Sequence, residues 1–206
     1  MLDLDHVILL ARDVEKWSKR LERECGLRSC GGGTHPSGTR TRIVPLQPPH
    51  YIEVMGVVAG ARDRPLASML ACRLDERGDH FFGWAVRTDD IDREARRLRR
   101  APQSGGGETV HWRTIRPAAA DADDRPFFIQ YDGDSGTAYL ERRAEEANSP
   151  AGPGGFAWIE VASEPSALAE WLGPHELPIR LTNGAQGVHA VGIDAPGGVI
   201  ELRISD

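Results

Sequence analysis

The sequence predicts an α+β fold built from three copies of one unit, in which a strand and a helix are followed by further strands. In three places an apolar strand leads into an acidic residue and then into an amphipathic helix. The three acidic residues, at positions 13, 90 and 164, are separated by 77 and 74 residues, and this regular spacing indicates an internal repeat. A chain of 206 residues is long enough to bury a core without disulfides or metals.

The first unit begins with an apolar strand over residues 6–10, followed by a helix that starts at Asp13. Aspartate is a favoured N-cap because its carboxylate accepts hydrogen bonds from free backbone N–H groups. Apolar residues recur on one face of this helix: Val14, Trp17 and Leu21. The glycines 31–33 are interpreted as a loop, and two strands are predicted after it, over residues 39–46 and 51–58.

The second unit repeats this order, with a strand over residues 82–86 and a helix that starts at Asp90. Strands are predicted over residues 110–115 and 126–131, and loops over 105–107 and 118–124. Residues 65–77, between the first two units, are predicted to form an extra helix, because apolar side chains recur there at helical spacing: Leu66, Met69, Leu70 and Leu74.

The third unit has a strand over residues 156–161, a helix start at Glu164 and Pro165, and three later strands over 177–181, 188–193 and 199–204. The Pro- and Gly-rich residues 149–155 are interpreted as a linker. We therefore expect one domain over residues 1–148, in which units 1–60 and 80–145 pair, with the third unit over 154–206 packed on it. Pairing of the first unit with the third is the alternative topology.

Composition excludes several classes of protein. The net charge of −6 disfavours nucleic-acid binding, which needs a basic excess to neutralise phosphates. No window approaches the roughly 18 apolar residues of a membrane span. The acidic N-terminus does not resemble a secretory signal, and three cysteines without CxxC spacing indicate reduced thiols, so we expect a cytoplasmic location.

Three segments of the first unit form a distinctive set: the opening strand over residues 4–9, the run Gly-Gly-Thr-His-Pro-Ser-Gly-Thr over 32–39, and Tyr-Ile-Glu-Val over 51–54. Together they resemble the glyoxalase-like domain family of the vicinal oxygen chelate superfamily. The family's Asn falls on Thr41 in this chain. The resemblance implies curved mixed sheets of βαβββ units around a concave cavity, but the family does not define a single reaction.

The resemblance also implies candidate metal ligands. In the superfamily they come from the first and last strands of two paired units, which places His6 and Glu53 in this role. A His and carboxylates suit Zn, Mn, Fe or Ni. The second unit offers Gly83 and the weak ligand Gln130 at the matching positions, whereas a catalytic zinc site uses three protein ligands. His80, three residues from Gly83, is expected on the opposite strand face. The alternative is that His6 and Glu53 bond to each other or to backbone and hold no ion.

Catalytic and ligand-binding roles are assigned to residues near the walls of the predicted cavity. Glu53 and His35 are the candidate catalytic residues, because a carboxylate among apolar neighbours must find a partner or take up a proton. Ligand-binding roles are predicted for His35 and for four other residues: Thr39, Trp84, Trp112 and Gln130. For His35 the alternative is a solvated loop side chain, and for the tryptophans it is core packing.

Two functions are compatible with these residues. The first is a glyoxalase-like enzyme acting on a small oxygen-bearing metabolite, with a divalent metal if one binds. The second is a non-catalytic protein that sequesters a small molecule, as the superfamily's bleomycin-resistance proteins do. The sequence leaves a homodimer open. We predict that His6, His35 and Glu53 line one pocket, that Glu53 is its most buried ionisable group, and that burial raises the pKa of Glu53 unless a cation compensates.

Overall fold

The computed structural model describes residues 1–107, 109–118 and 123–204. The first unit contains β1 (Leu2–Leu10), α1 (Val14–Cys25), β2 (Cys30–Thr34), β3 (Thr39–Pro45) and β4 (Tyr51–Val57). Helix α2 (Pro65–Arg77) leads to the second unit, which contains β5 (His80–Thr88), α3 (Ile91–Leu98), β6 (Gln103–Gly106), β7 (His111–Ile115) and β8 (Phe127–Tyr131). Helix α4 (Ser135–Ala147) precedes the third unit, which contains β9 (Phe156–Ala162), α5 (Pro165–Leu172), β10 (Ile179–Leu181), β11 (Gly187–Ile193) and β12 (Ile200–Arg203).

The first two units form one eight-stranded mixed sheet with the order β2-β3-β4-β1-β5-β8-β7-β6. In each unit the first strand pairs in parallel with the last, β1 with β4 and β5 with β8. The units join through antiparallel pairing of β1 with β5. The strand order is therefore symmetric about the β1–β5 pair, and the predicted α+β class with curved mixed sheets is confirmed.

The third unit forms a separate four-stranded sheet with the order β10-β9-β11-β12. Its first strand, β9, pairs in parallel with β10, which comes directly after the helix, and antiparallel with β11. In the first two units the first strand instead pairs in parallel with the last strand. The third unit therefore repeats the order of elements along the chain but not the order of strands in the sheet.

The acidic residues of the repeat begin three helices, as predicted. The Asp13 carboxylate accepts a hydrogen bond from the backbone N–H of Lys16 at the start of α1, and the Asp90 carboxylate accepts one from Arg93 at the start of α3. Glu164 accepts from two backbone N–H groups in the first turn of α5. Each carboxylate satisfies donors that have no partner within their own helix.

Two glycine-rich segments predicted as loops are strands. Glycines 31–33 lie in β2, and Gly105 and Gly106 lie in β6. Gly32 has φ +80°, and a Cβ atom there would lie 2.1 Å from the carbonyl oxygen of Thr41. Gly32 therefore allows β2 to bulge closely against β3.

Helix α4 was not predicted from the sequence. It buries only three residues, Gly136, Leu140 and Ala147, so its apolar periodicity is too weak to stand out. The loop predicted over 118–124 falls mostly on residues 119–122, which lie outside the described part of the chain.

The two faces of the eight-stranded sheet are covered differently. One face packs with α1, α3 and the third unit in a continuous apolar core, to which alternate residues such as Leu9 and Trp84 contribute. The other face is concave, and Ile8 and Ala85 point to it. Helix α2 covers one end of this concave face, where Leu70 packs with Leu10. No helix in the described residues is long and apolar enough to cross a membrane.

Candidate functional site

The concave face has an apolar floor. Strand pairing places Ile8 of β1 beside Glu53 of β4 and opposite Gly83 of β5, so three central strands meet at this point. The surrounding side chains form one apolar and aromatic cluster: Ile8, Met55, Phe82, Ala85, Trp112, Phe127, Ile129 and Tyr131. Such a concave surface with a few polar groups is typical of small-molecule sites.

Glu53 is the carboxylate in the middle of this floor. It is partly buried, and its removal from water raises its pKa above the ordinary value for glutamate. The positive charges that His6, His35 and Arg116 can carry act in the opposite direction but do not cancel the effect of burial. The direction agrees with the sequence-based expectation. A carboxyl group of raised pKa is better suited to accept and return a proton than an ordinary carboxylate.

His6 is held at one side of Glu53 by aromatic contacts and a hydrogen bond. Its ring stacks on Tyr51 with centroids 4.4 Å apart and meets the edge of Phe127 at 5.3 Å. Its Nδ1 atom lies 2.6 Å from Oδ1 of Asp5. Because Nδ1 bonds to this carboxylate, the orientation of the imidazole is fixed.

Asp5 is a site residue that sequence reasoning missed. It is 0 % exposed and accepts hydrogen bonds from Arg87 Nε at 2.9 Å and from the Tyr131 hydroxyl at 3.2 Å. Burial alone would raise its pKa, but the hydrogen bonds and charges of His6 and Arg87 lower it below the ordinary value for aspartate. Asp5 therefore remains ionised. The available signal was its place beside His6 at the start of the apolar run of β1.

The prediction that Glu53 is the most buried ionisable group of the site is wrong. Asp5 at 0 % and His6 at 3 % exposure are both more buried, whereas Glu53 is only partly covered. The physical reason is position along the sheet. Asp5 and His6 lie on the central strand β1 beneath aromatic rings, while Glu53 lies on β4 with more open surroundings.

His35 lies at the rim of the concave face, in the turn between β2 and β3 rather than in a loop that joins a helix to a strand. Its side chain is exposed, and Nε2 lies 3.1 Å from the Thr41 hydroxyl. Thr41 is therefore the partner of His35. Thr39 lies on the same face but is 2 % exposed, bonds to the Ser37 hydroxyl at 3.1 Å and pairs with Val57 beside α2.

Ligand-binding roles were also predicted for Trp84, Trp112 and Gln130, and of these three Trp112 lies on the concave face. Its ring meets the edge of the Tyr131 ring, with centroids 6.4 Å apart. Trp84 is buried in the core on the other face and donates from Nε1 to the carbonyl oxygen of Asp124. Gln130 also lies on that face and accepts a hydrogen bond from the N–H of Ile91, at the start of α3. Strand alternation, which turns neighbouring side chains to opposite faces, excludes Trp84 and Gln130 from the site.

The donor atoms on the concave face do not fit a divalent metal. Within the part of the chain that the structure describes, no three His, Cys, Asp or Glu side chains come together in a metal-binding group. Asp5 already bonds to His6 and Arg87. In the second unit the strand register places the apolar residues Ala85 and Ile129 at the positions that match His6 and Glu53. Since a catalytic zinc site uses three protein ligands, these residues do not fit the Zn, Mn, Fe or Ni ion that the sequence left possible.

The symmetric eight-stranded sheet and its concave face define a protein of the vicinal oxygen chelate type. The model of the glyoxalase-like domain family matches residues 4–177. The chain therefore belongs to the glyoxalase-like domain family. No curated protein matches the chain.

Three solved structures are similar to the chain, and the one with a TM-score above 0.5 shares its fold. A hypothetical protein from Staphylococcus aureus is 17 % identical with a TM-score of 0.61, over 100 % of this chain and 86 % of that chain. Methylmalonyl-CoA epimerase from Mycobacterium tuberculosis is 21 % identical with a TM-score of 0.46, over 62 % of this chain and 85 % of its own. A Streptomyces coelicolor methylmalonyl-CoA epimerase variant in complex with 2-nitronate-propionyl-CoA is 13 % identical with a TM-score of 0.47, over 62 % of this chain and 92 % of its own.

Proposed function

We propose that this protein binds a small oxygen-bearing metabolite on the concave face and that Glu53 exchanges a proton with it. The observation that carries the proposal is a carboxyl group of raised pKa, set in an apolar floor with His6 and His35 acting on its charge. An apolar concave surface that contains a titratable group with a shifted pKa is typical of sites of acid–base catalysis.

The reaction class that suits this arrangement is proton transfer at a carbon next to a carbonyl group. The Glu53 carboxylate takes the proton from the carbon, and the electron pair of the broken C–H bond moves to the carbonyl oxygen. His35 at the rim supplies a hydrogen bond to that oxygen. Return of the proton from Glu53 completes an isomerisation or epimerisation, and no metal is required for any step.

Proton exchange tests this function directly. Hydroxyacetone and pyruvate are incubated with the protein in D2O and EDTA, and loss of the proton signal next to the carbonyl is followed by NMR. We expect the wild type to accelerate exchange and Glu53→Gln to lower the rate about 100-fold, since general base catalysis contributes on that order. The matched control Glu176→Gln changes an exposed carboxylate of the third unit and should exchange at the wild-type rate.

A non-catalytic binding function is the second candidate, and the apolar, aromatic floor favours it. In that case Trp112 fluorescence responds to a bound metabolite, while exchange in the wild type is no faster than in Glu53→Gln. Equal exchange rates in these two proteins would exclude the acid–base role of Glu53.

A further inference from the structure

Arg116 lies at the edge of the concave face, directly after β7. Trp112 and Thr114 of β7 pair with Tyr131 and Ile129, which places them on the concave face, and alternation brings Arg116 to the same side. Its guanidinium carbon lies 4.6 Å from the centroid of the Phe127 ring. The side chain is nevertheless exposed to solvent, so a ligand entering the concave face can reach the charge.

Arg116 carries no direct partner in the described residues. None of the hydrogen bonds or ion pairs found between residues 1–107, 109–118 and 123–204 includes its guanidinium, and its electrostatic neighbour is Glu53. Arg113, on the opposite face of the same strand, is bound to Asp92 at 2.8 Å. The second arginine on the concave face, Arg87, is likewise occupied by Asp5 at 2.9 Å. Arg116 is thus the cation that a ligand can engage.

The Phe127 ring links this cation to the proposed chemistry. Arg116 lies over the ring, and His6 meets the same ring with centroids 5.3 Å apart. A ligand group bound to Arg116 therefore lies beside the aromatic floor, with the remainder of the ligand directed towards His6 and Glu53. Without such a cation, a negatively charged ligand would be repelled by Glu53 and Asp5.

We infer that Arg116 is a specificity-determining residue, which selects small 2-hydroxy- or 2-oxocarboxylates that carry an apolar or aromatic body. A guanidinium presents two parallel N–H groups that match the two oxygens of a carboxylate. The apolar cluster receives the body of the ligand, and the oxygen next to the carboxylate lies towards Glu53. This inference rests on the proposed function, because it names the substrate class of the same site.

Paired probes that differ only in charge test the inference. Mandelate has a carboxylate, a neighbouring hydroxyl group and an aromatic ring, and mandelamide replaces the carboxylate by a neutral amide. We expect the wild type to bind mandelate about 10-fold more tightly than mandelamide in calorimetric titration, as one charge-assisted hydrogen-bond pair provides. Arg116→Ala should reduce this ratio to about 1 by weakening mandelate alone, and Arg116→Lys should retain part of the preference.

Arg113→Ala is the matched control, since it removes an arginine from the other face of the same strand. It should leave the mandelate preference at the wild-type ratio, and circular dichroism should show that every variant is folded. Equal binding of mandelate and mandelamide by the wild type would overturn the inference. So would a loss of the mandelate preference in Arg113→Ala as large as that in Arg116→Ala, or tighter binding of phenyl phosphate than of mandelate. If the wild type accelerates proton exchange but binds mandelate and mandelamide equally, this inference alone is overturned. If it prefers mandelate but does not accelerate proton exchange, the acid–base function alone is overturned.

Discussion

Asp5 and Glu53 are carboxylates of the same concave face, yet their pKa values shift in opposite directions. Burial raises both, but hydrogen bonds and charges from His6 and Arg87 outweigh it at Asp5. At Glu53 the charges of His6, His35 and Arg116 do not outweigh burial, which determines the direction. Asp5 therefore serves as a fixed charge that orients His6, whereas Glu53 is free to titrate.

Glu53→Gln should stabilise the protein in a pH-dependent way. Because the folded state raises the pKa of Glu53, the ionised carboxylate costs stability above that pKa, and the cost disappears as the pH falls to the unfolded value of 4.5. At pH 8 we expect Glu53→Gln to gain about 1 kcal/mol, or about 3 °C in melting temperature. At pH 4 the two melting temperatures should coincide.

Thermal unfolding from pH 4 to pH 8 measures this effect, with Glu176→Gln as the exposed control. A melting temperature of Glu53→Gln below that of the wild type at pH 8 would mean that the Glu53 carboxylate is stabilised in the folded state. That result would contradict the raised pKa.

At the scale of elements, two register shifts in the β1–β5 pair decide which side chains share the site. One lies between Leu4 and His6 and leaves Asp5 as an extra residue; the other leaves Phe82 as an extra residue on β5. The second shift overturns the expectation that His80 points away from the face of Gly83. His80 is opposite Leu10 and Gly83 is opposite Ile8, so both lie on the concave side.

Helix α2 also acts at this scale, because it closes one end of the concave face. Leu70 is fully buried against Leu10, whereas Leu66 on the same helix is 39 % exposed. We expect Leu70→Ala to lower the free energy of unfolding by about 3 kcal/mol, through lost burial and a cavity. Leu66→Ala should change it by no more than about 0.5 kcal/mol.

Urea denaturation of the two leucine variants measures the difference. Equal losses in both would show that α2 does not pack on the concave face through Leu70.

At the scale of the whole molecule, the third unit and the second unit share one core. The rings of Trp171 and Phe128 lie 5.8 Å apart, and Trp171 Nε1 donates to the carbonyl oxygen of Pro126. Arg97 of α3 donates to the carbonyl oxygens of Glu170 and Trp171 at the end of α5. Such contacts predict that the chain unfolds as one cooperative unit.

Arg97→Ala should therefore destabilise the entire chain. It removes the bonds to α5 and one of the two arginines that pair with the buried Glu94, so we expect a loss of about 2 kcal/mol. Arg96→Ala on the same helix removes an exposed side chain and should cost no more than about 0.5 kcal/mol. Tryptophan fluorescence and far-UV circular dichroism should give one coincident transition, and separate transitions would contradict a shared core.

The sequence by itself determined most of the elements, because their signals are local, but it did not predict α4 or the glycine-rich strands β2 and β6. Asp13, Asp90 and Glu164 mark helix starts through bonds to residues two or three positions later, and the motifs around residues 32–39 and 51–54 pointed to the correct family. Tertiary structure alone decided which side chains share the concave face. Strand bulges changed the alternation at Asp5 and Phe82. Arg87 and Tyr131, which donate to Asp5, lie on distant strands, and the charges of His6 and Arg116 that act on Glu53 are also distant in sequence. Burial and charge at these two carboxylates therefore depend on contacts that no local pattern encodes.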